Sequence, residues 1–311
     1  MTVVTPRRKL RIAVLCCFPI PENIAKDRGQ FDDIFASWIL ASVNAYNAKR
    51  PNGQIIAEVT GFDVILKDEY PSPVEDFDAL IVTGSVASAY DDEPWIHKLA
   101  AFIRDVYENS PNVKIFGGCF GHQLIGQAFL SKHGARVVKN PKGWEIGVHQ
   151  VSLSEDFASH FPCLKGDTVS YQFLHQDVVQ LDGPLPPNWV QMGTSPLCEV
   201  QGFLVPGRVL TYQGHPEFDT FINKWSTLAV QQSGMIPDDE KMKEYLRLVD
   251  QDDTRLLAGE MAIQFFLVAA DTCRVEKKTE VVESCGDLSC NILRHLQKLI
   301  TSLFIRKSKA T

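Results

Sequence analysis

Short apolar runs alternate in the N-terminal part of the chain with longer stretches in which apolar positions recur every three or four residues. Short β-branched runs are typical of strands buried on both faces, and the longer spacing is typical of helices. The predicted strands are Leu10–Cys17, Ile55–Val64, Ala79–Thr83 and Val113–Gly117, and the predicted helices are Gln30–Tyr46, Pro94–Tyr107 and His122–Ser131. This alternation favours an α/β fold with a doubly wound, mostly parallel sheet.

The pattern changes from Ala135 to about Gly214. The runs there are shorter and are interrupted by glycine and proline, which predicts an antiparallel extension and not a separate domain. The elements predicted beyond it are a strand over Arg208–Tyr212 and helices over Thr220–Gln232 and, broken near Asp252, over Asp238–Val268.

The C-terminal region differs in composition from the rest. Lys277–Leu288 is polar, whereas Asn291–Lys307 combines basic residues with apolar ones at helical spacing. We therefore expect one domain over residues 1–275 and a flexible tail over 276–311 that contains an amphipathic helix. Such a helix either docks on its own domain or binds a partner enzyme or a membrane surface, and the sequence leaves these alternatives open.

Composition narrows the classes of function. The chain has 311 residues, of which 45% are hydrophobic and 22% charged, as is usual for a globular protein with a core. Its net charge of −7 disfavours nucleic acid as a partner. No apolar run reaches the roughly 20 residues that span a bilayer, and the first residues lack the pattern of a secretory signal. We therefore expect a cytoplasmic protein without a transmembrane segment.

The eight cysteines are scattered without a C-x-x-C spacing, so they indicate neither a zinc site nor a disulfide framework. We expect no metal and no cofactor. One cysteine nevertheless has a distinctive setting, in Gly117-Gly118-Cys119-Phe120-Gly121, where glycines let a strand turn sharply into a helix. This turn presents the Cys119 thiol beside a helix N-terminus, which favours a thiolate. A buried cysteine in a glycine-rich turn is the alternative.

A second motif further along the chain offers the base that a thiol nucleophile needs. His215 and Glu217 lie two residues apart at the end of a predicted strand, so their side chains can share one side of the backbone. A carboxylate in that place orients the imidazole and stabilises its protonated form. Taken alone, His215 could equally be a solvated histidine in a strand-to-helix turn.

Together, Gly117–Gln123 and Gly214–Glu217 resemble the signature of the class I glutamine amidotransferases. The resemblance covers roughly residues 10 to 270 and implies a flavodoxin-like fold with its active site at the carboxyl ends of the strands. It implies Cys119 as nucleophile, His215 as general base and acid, and Glu217 as the carboxylate that orients the histidine. The thiolate would attack a γ-glutamyl amide, expel an amine or ammonia, and leave a thioester for water to cleave.

The same resemblance implies further site residues. The backbone N–H of Phe120 is one expected oxyanion donor, and the other comes from the loop after the third strand, where either Gly84 or Ser85 donates. Gln123 falls where family members contact the glutamyl backbone, although it could instead be a structural helix residue. The segment around Phe173, Leu174 and His175 resembles the substrate-side loop, whose main chain grips the α-amino and α-carboxylate groups; His175 could equally be structural.

Other segments are similar to the stand-alone plant and fungal γ-glutamyl peptidase-like members, which act on glutathione or its conjugates. They include Ser85–Asp91, Gly143–Gly147 and His175–Asp177. The resemblance thus implies a small-molecule γ-glutamyl substrate, a glutathione conjugate or glutamine, and a possible place in a secondary-metabolite pathway. Two alternatives stay open: a glutaminase subunit that supplies ammonia to a separate synthetase, and a non-catalytic binding protein.

Overall fold

The computed structural model describes residues 8–50, 53–236 and 239–268, all of which belong to one compact unit. The predicted tail over residues 276–311 and its amphipathic helix lie outside the described residues. The domain boundary at residue 275 therefore stays a prediction.

The described residues form a seven-stranded sheet in the order β2-β1-β3-β4-β12-β11-β9. Its first five strands are parallel to one another. At the far edge, β11 pairs antiparallel with β12, and β9 pairs antiparallel with β11. The strands of this sheet are β1 (Arg8–Cys16), β2 (Ile55–Asp63), β3 (Ala79–Val82), β4 (Lys114–Gly118), β9 (Val190–Gln191), β11 (Phe203–Val205) and β12 (Val209–Tyr212). The order of the parallel strands is that of flavodoxin-like folds.

Helices cover both faces of this sheet, which confirms the doubly wound arrangement. The helices are α1 (Glu22–Arg28), α2 (Phe31–Ala48), α3 (Pro94–Asn109), α4 (Phe120–Leu130), α5 (Glu155–Ser159), α6 (Thr220–Gln232), α7 (Asp239–Val249) and α8 (Arg255–Leu267). On one face, α2 and α8 enclose a core that includes Phe35, Trp38 and Phe266. On the other face, α3 and α4 bury Ile103 and Ile125. The central strands β3 and β4 are buried throughout because both faces are covered, which explains their apolar sequences, Lys114 at the start of β4 excepted.

The region from Ala135 to Gly214 contains the predicted antiparallel strands within the same compact unit, although only part of it extends the main sheet. β9 and β11 do extend it, but the remaining strands pair among themselves in a three-stranded sheet, β10-β6-β7, and a two-stranded sheet, β5-β8. These strands are β5 (Ala135–Lys139), β6 (Glu145–Leu153), β7 (Thr168–His175), β8 (Asp177–Leu181) and β10 (Gly193–Thr194). Strand composition indicates pairing but does not say which sheet a strand joins.

Helices α1 and α4 also differ from the prediction. Helix α1 was not predicted, because Ile24 is the one residue that it buries and no apolar periodicity marks it. Helix α4 begins at Phe120, two residues before the predicted start, so Cys119 itself occupies the N-cap position. The predicted break near Asp252 is present between Val249 and Arg255.

Strand register brings the two sequence motifs together. Tyr212 of β12 pairs with Gly118 of β4, and Val82 of β3 pairs with Gly117. Parallel neighbours end at the same edge of a sheet, so the loop after β3, the turn at Cys119 and the segment after β12 meet there.

Candidate active site

Cys119 occupies a strained turn between β4 and α4. Its φ of 49° and ψ of −106° lie in a region that L-residues rarely adopt. Hydrogen bonds hold the turn on both sides: the Cys119 N–H donates to the Tyr212 carbonyl at 2.9 Å, and the Gln123 N–H donates to the Cys119 carbonyl at 3.0 Å. Strain of this kind persists where surrounding structure enforces it and is common at nucleophile turns.

Two glycines permit the crowding around this turn. A Cβ on Gly121 would lie 2.2 Å from the Val82 carbonyl oxygen, so the helix packs against β3 in a way no side chain allows. A Cβ on Gly84 would lie 2.9 Å from Cε1 of His215 and 3.7 Å from Cβ of Cys119. The loop after β3 therefore lies directly against both motifs.

His215 is held between a thiol and a carboxylate. Its Nδ1 lies 2.8 Å from Oε1 of Glu217, and the Cys119 side chain is close enough to raise the pKa of the ring. The His215 N–H donates to the Gln172 carbonyl at 2.7 Å, which ties this segment to β7. The Phe218 ring stacks on the imidazole, with ring centroids 4.1 Å apart and an interplanar angle of 11°. The structure thus brings Cys119, His215 and Glu217 together at one site.

The electrostatics of this chain favour the imidazolium. Burial alone would lower the pKa of His215, but the charges of Cys119 and Glu217 and the hydrogen bonds to both raise that pKa to about 10. A thiolate beside a protonated histidine is the form in which a cysteine acts as a nucleophile.

The other described cysteines lie in different surroundings. Burial raises the pKa of Cys163 to about 11 and the pKa values of Cys16 and Cys198 to about 12, and it raises the pKa of Cys17 further. Thiols of this kind stay protonated and unreactive. Among the described cysteines, Cys119 is the one that the structure pairs with a histidine and a carboxylate.

The residues named as oxyanion donors lie around the same turn. Phe120 is the first residue of α4, so no intrahelical carbonyl can accept its N–H. Gly84 is fixed from behind by Thr83, whose hydroxyl donates to the Gly84 carbonyl at 3.0 Å and accepts the Cys17 N–H at 2.9 Å. The Ser85 hydroxyl accepts the Ala87 N–H at 3.2 Å.

The residues named for substrate binding have structural partners. The Gln123 side-chain amide donates to the carbonyl of Asp177 at 2.8 Å. Phe173 is fully buried and stacks on Tyr171, whereas Leu174 is partly buried. His175 is also buried, so its side chain is not exposed to solvent. That the main chain of Phe173, Leu174 and His175 contacts the substrate remains a prediction.

His175 belongs to a second buried pair that the sequence did not reveal. Its Nε2 lies 2.8 Å from Oε2 of Glu145, and its Nδ1 lies 3.0 Å from the Asp177 carbonyl oxygen. Glu145 also accepts hydrogen bonds from Ser195 and, at 2.9 Å, from Gln201. Burial raises the pKa of Glu145, but His175, Ser195 and Gln201 lower it by more. This pair links the start of β6 to the end of β7, where Glu145 and His175 are directly opposite each other.

Sequence reasoning missed Phe218 and Gln172 as supports of His215. An aromatic residue directly after Glu217 was a signal for the stacked ring, but the contact of Gln172 depends on the packing of β7. In the part of the chain that the structure describes, no group of three or more His, Cys, Asp or Glu side chains could hold a metal ion. None of the described helices is long and apolar enough to cross a bilayer.

Comparison with solved structures shows the fold. A glutamine amidotransferase from Thermotoga maritima has a TM-score of 0.58 with this chain at 19% sequence identity, and covers 83% of this chain and 99% of its own. A glutamine amidotransferase from Methylobacillus flagellatus gives a TM-score of 0.55 at 19% identity, over 84% of this chain and 93% of its own. The predicted α/β class and doubly wound sheet are confirmed.

Comparison of sequences shows the family. A glutamine amidotransferase-like protein of Schizosaccharomyces pombe is 34% identical over 194 residues, which are 61% of this chain and 74% of the relative. Gamma-glutamyl peptidase 2 of Arabidopsis thaliana is 27% identical over 201 residues, 62% of this chain and 76% of the relative. The family described as glutamine amidotransferase class-I matches residues 45–228, more than half of the 311 residues. The chain therefore belongs to the class I glutamine amidotransferase family and is an enzyme of the glutamine amidotransferase-like type.

Proposed function

We propose that this enzyme hydrolyses γ-glutamyl amide bonds through a γ-glutamyl thioester on Cys119. The observation that carries the proposal is the grouping of Cys119, in its strained turn, with His215, whose Nδ1 lies 2.8 Å from Glu217. A thiol, a histidine and an orienting carboxylate are the three parts that covalent acyl transfer needs.

The proposed reaction has two halves. In the first, the Cys119 thiolate attacks the γ-carbonyl carbon, and the His215 imidazolium gives its proton to the departing amine as the C–N bond breaks. In the second, neutral His215 takes a proton from water, whose oxygen attacks the thioester carbon. The C–S bond then breaks to release glutamate and restore the thiolate and imidazolium. Glu217 keeps its charge throughout and holds the ring by Nδ1.

The tetrahedral intermediate in each half carries a negative oxygen. We assign its stabilisation to the N–H of Phe120 and to an N–H of the loop after β3, at Gly84 or Ser85. The nearness of Gly84 to both Cys119 and His215, which leaves no room for a Cβ, supports this assignment. The main chain at Phe173, Leu174 and His175, together with Gln123, is proposed to receive the glutamyl α-amino and α-carboxylate groups.

The leaving group is proposed to be the remainder of a glutathione conjugate, with glutamine as the alternative substrate. Similarity to the Arabidopsis proteins named gamma-glutamyl peptidase supports a γ-glutamyl peptide. A secondary-metabolite pathway and a cytoplasmic location are parts of the same proposal.

The proposal is tested by incubating the purified chain with glutamine, glutathione and S-alkyl glutathiones and measuring released glutamate by mass spectrometry. We expect release from at least one of these, and none above background from Cys119→Ser. Cys163→Ser is the matched control, because it removes a described thiol away from the site, and it should keep full activity. Undiminished release by Cys119→Ser would refute the thioester mechanism.

The same assay separates hydrolysis from ammonia supply. A hydrolase should cleave its substrate at full rate as the purified chain alone. Release that depends strongly on a co-purified synthetase would instead support a glutaminase subunit with the same chemistry.

A further inference from the structure

The loop after β3 is a short irregular segment with little support of its own. Its internal hydrogen bonds form a turn around Ser88, whose N–H donates to Oδ2 of Asp91 at 2.8 Å and whose carbonyl accepts the Asp91 N–H at 2.9 Å. Val86 in this loop is 72% exposed. A segment of this kind keeps a fixed place only where outside contacts hold it. Gly84, at its start, lies against Cys119 and His215.

Asp177 supplies such contacts from the start of β8. The Ser88 hydroxyl donates to Oδ2 of Asp177 at 2.5 Å, and the Tyr90 hydroxyl donates to Oδ1 at 3.4 Å. Both donors belong to the same loop, and a carboxylate accepts hydrogen bonds more strongly than a neutral group does. A further hydrogen bond, from Gln127 to the Ala89 carbonyl at 3.1 Å, ties the loop to α4.

Asp177 is itself fixed relative to the nucleophile. Its carbonyl accepts the side-chain amide of Gln123 at 2.8 Å and Nδ1 of His175 at 3.0 Å. The Gln123 N–H donates to the Cys119 carbonyl, so Gln123 lies one helical turn after the thiol. Asp177 therefore joins two parts of the site that are distant in sequence, the helix of the nucleophile and the loop of Gly84.

We propose that Asp177 is a positioning residue that, through Ser88 and Tyr90, fixes the loop of Gly84 and Ser85 where its N–H can meet the oxyanion. This inference rests on the proposed function. It predicts a defined kinetic signature, because the oxyanion exists in the transition state and not in the bound substrate. Loosening the loop should lower kcat and leave KM nearly unchanged. The thiolate and its histidine do not depend on the loop, so alkylation of Cys119 by iodoacetamide should keep its rate.

The test is a double-mutant cycle on Asp177 and Ser88. We expect Asp177→Ala and Ser88→Ala each to lower kcat by about 10- to 100-fold, less than the 10²- to 10³-fold cost of deleting an oxyanion donor outright. The double variant should be no slower than Asp177→Ala alone, since Ser88 acts through that carboxylate. Asp177→Asn keeps one acceptor oxygen and should recover part of the loss. Tyr90→Phe should have the smallest effect because its hydrogen bond is the longest.

Asp182→Ala is the matched control. Asp182 is an exposed carboxylate just after β8 that pairs with Arg136, and its loss should leave kcat unchanged. Ser88→Ala and Tyr90→Phe remove only a hydroxyl, so they carry the test even if Asp177→Ala does not fold.

Three results would overturn the inference: a rise in KM with unchanged kcat, which would place Asp177 on the substrate; additive losses in the double variant; or normal kcat in every variant of the cycle. Each of these leaves the proposed function standing as long as Cys119→Ser is inactive. Full activity in Cys119→Ser would refute the proposed function itself, whatever the cycle shows.

Discussion

Among the residues that the structure describes, two buried histidine–carboxylate pairs occur, and only one of them lies beside a cysteine. In the first, Nδ1 of His215 is 2.8 Å from Glu217, and in the second, Nε2 of His175 is 2.8 Å from Glu145. All four side chains are at most 5% exposed. Neither distance nor burial distinguishes the two pairs.

The remaining hydrogen bonds do distinguish them. Both ring nitrogens of His175 face oxygen atoms of the protein, Nδ1 the Asp177 carbonyl and Nε2 the Glu145 carboxylate, so neither nitrogen faces a reacting group. Glu145 is saturated as well, by Ser195 and Gln201. His215 uses Nδ1 for Glu217, which leaves Nε2 for the Cys119 thiol. A buried pair is suited to proton transfer only where one ring nitrogen faces a reacting group.

The largest expected effect is that of His215→Asn. Removing the base should lower kcat/KM for γ-glutamyl substrates by about 10⁴- to 10⁶-fold, because no other group then takes or returns the proton. Thermal unfolding of the variant should show an intact fold. A loss of less than tenfold would mean that His215 is no more involved in the reaction than His175.

Glu217→Gln should lower kcat by about 10²- to 10⁴-fold, because the ring loses its orientation and its counter-charge. The change should also move the pH profile. In the native enzyme the raised pKa of His215 keeps the imidazolium protonated as pH rises past neutrality, so kcat/KM should fall only as pH approaches about 10. Without the Glu217 charge this alkaline limb should shift to lower pH. An unchanged alkaline limb would contradict the assignment of Glu217.

Glu145→Gln tests the other pair and should affect stability instead of chemistry. Loss of the carboxylate leaves His175 without its counter-charge, which should lower the free energy of unfolding by about 3 to 5 kcal/mol in urea denaturation. The pKa of Glu145 is lowered in the folded state, so the native pair's contribution should be lost as pH falls below about 4.5. The folded variant should keep its kcat; a loss of turnover like that of Glu217→Gln would erase the distinction between the pairs.

The smallest expected effect is that of Phe218→Leu. The buried, stacked ring should stabilise the imidazolium by a cation–π contact of about 2 kcal/mol, so its loss should shift the alkaline limb down by about one and a half pH units. Phe218→Tyr keeps the aromatic face and should leave the limb in place. Equal shifts in both variants would indicate a packing effect alone.

Most of the fold could be predicted from the sequence because its signals are local. The buried runs at Ala79–Val82 and Ile115–Gly118 have no polar face, which is typical of central parallel strands. Short strands beyond Ala135 could not be assigned to a sheet, since their pairing depends on distant partners. The tail beyond residue 275 remains a prediction.

The residues of the candidate site can be divided in the same way, into those with local signals in the sequence and those that depend on distant contacts. Cys119, His215 and Glu217 could be named because their chemistry and spacing are written in two short motifs. The positioning role proposed for Asp177 could not be predicted, because it depends on the contact between β8 and the loop after β3. The pair of Glu145 and His175 could not be predicted either, because it depends on the packing of β6 against β7. A histidine followed by a carboxylate two residues later occurs in both places, at His175–Asp177 and His215–Glu217, and only the structure shows that they differ.

The most direct measurement is to trap the acyl-enzyme by acid quench during turnover of a γ-glutamyl substrate and to locate the adduct by peptide mass spectrometry. We expect one γ-glutamyl group on Cys119, and no adduct in His215→Asn. Turnover without any adduct on Cys119, or an adduct on another cysteine such as Cys163, would contradict the account.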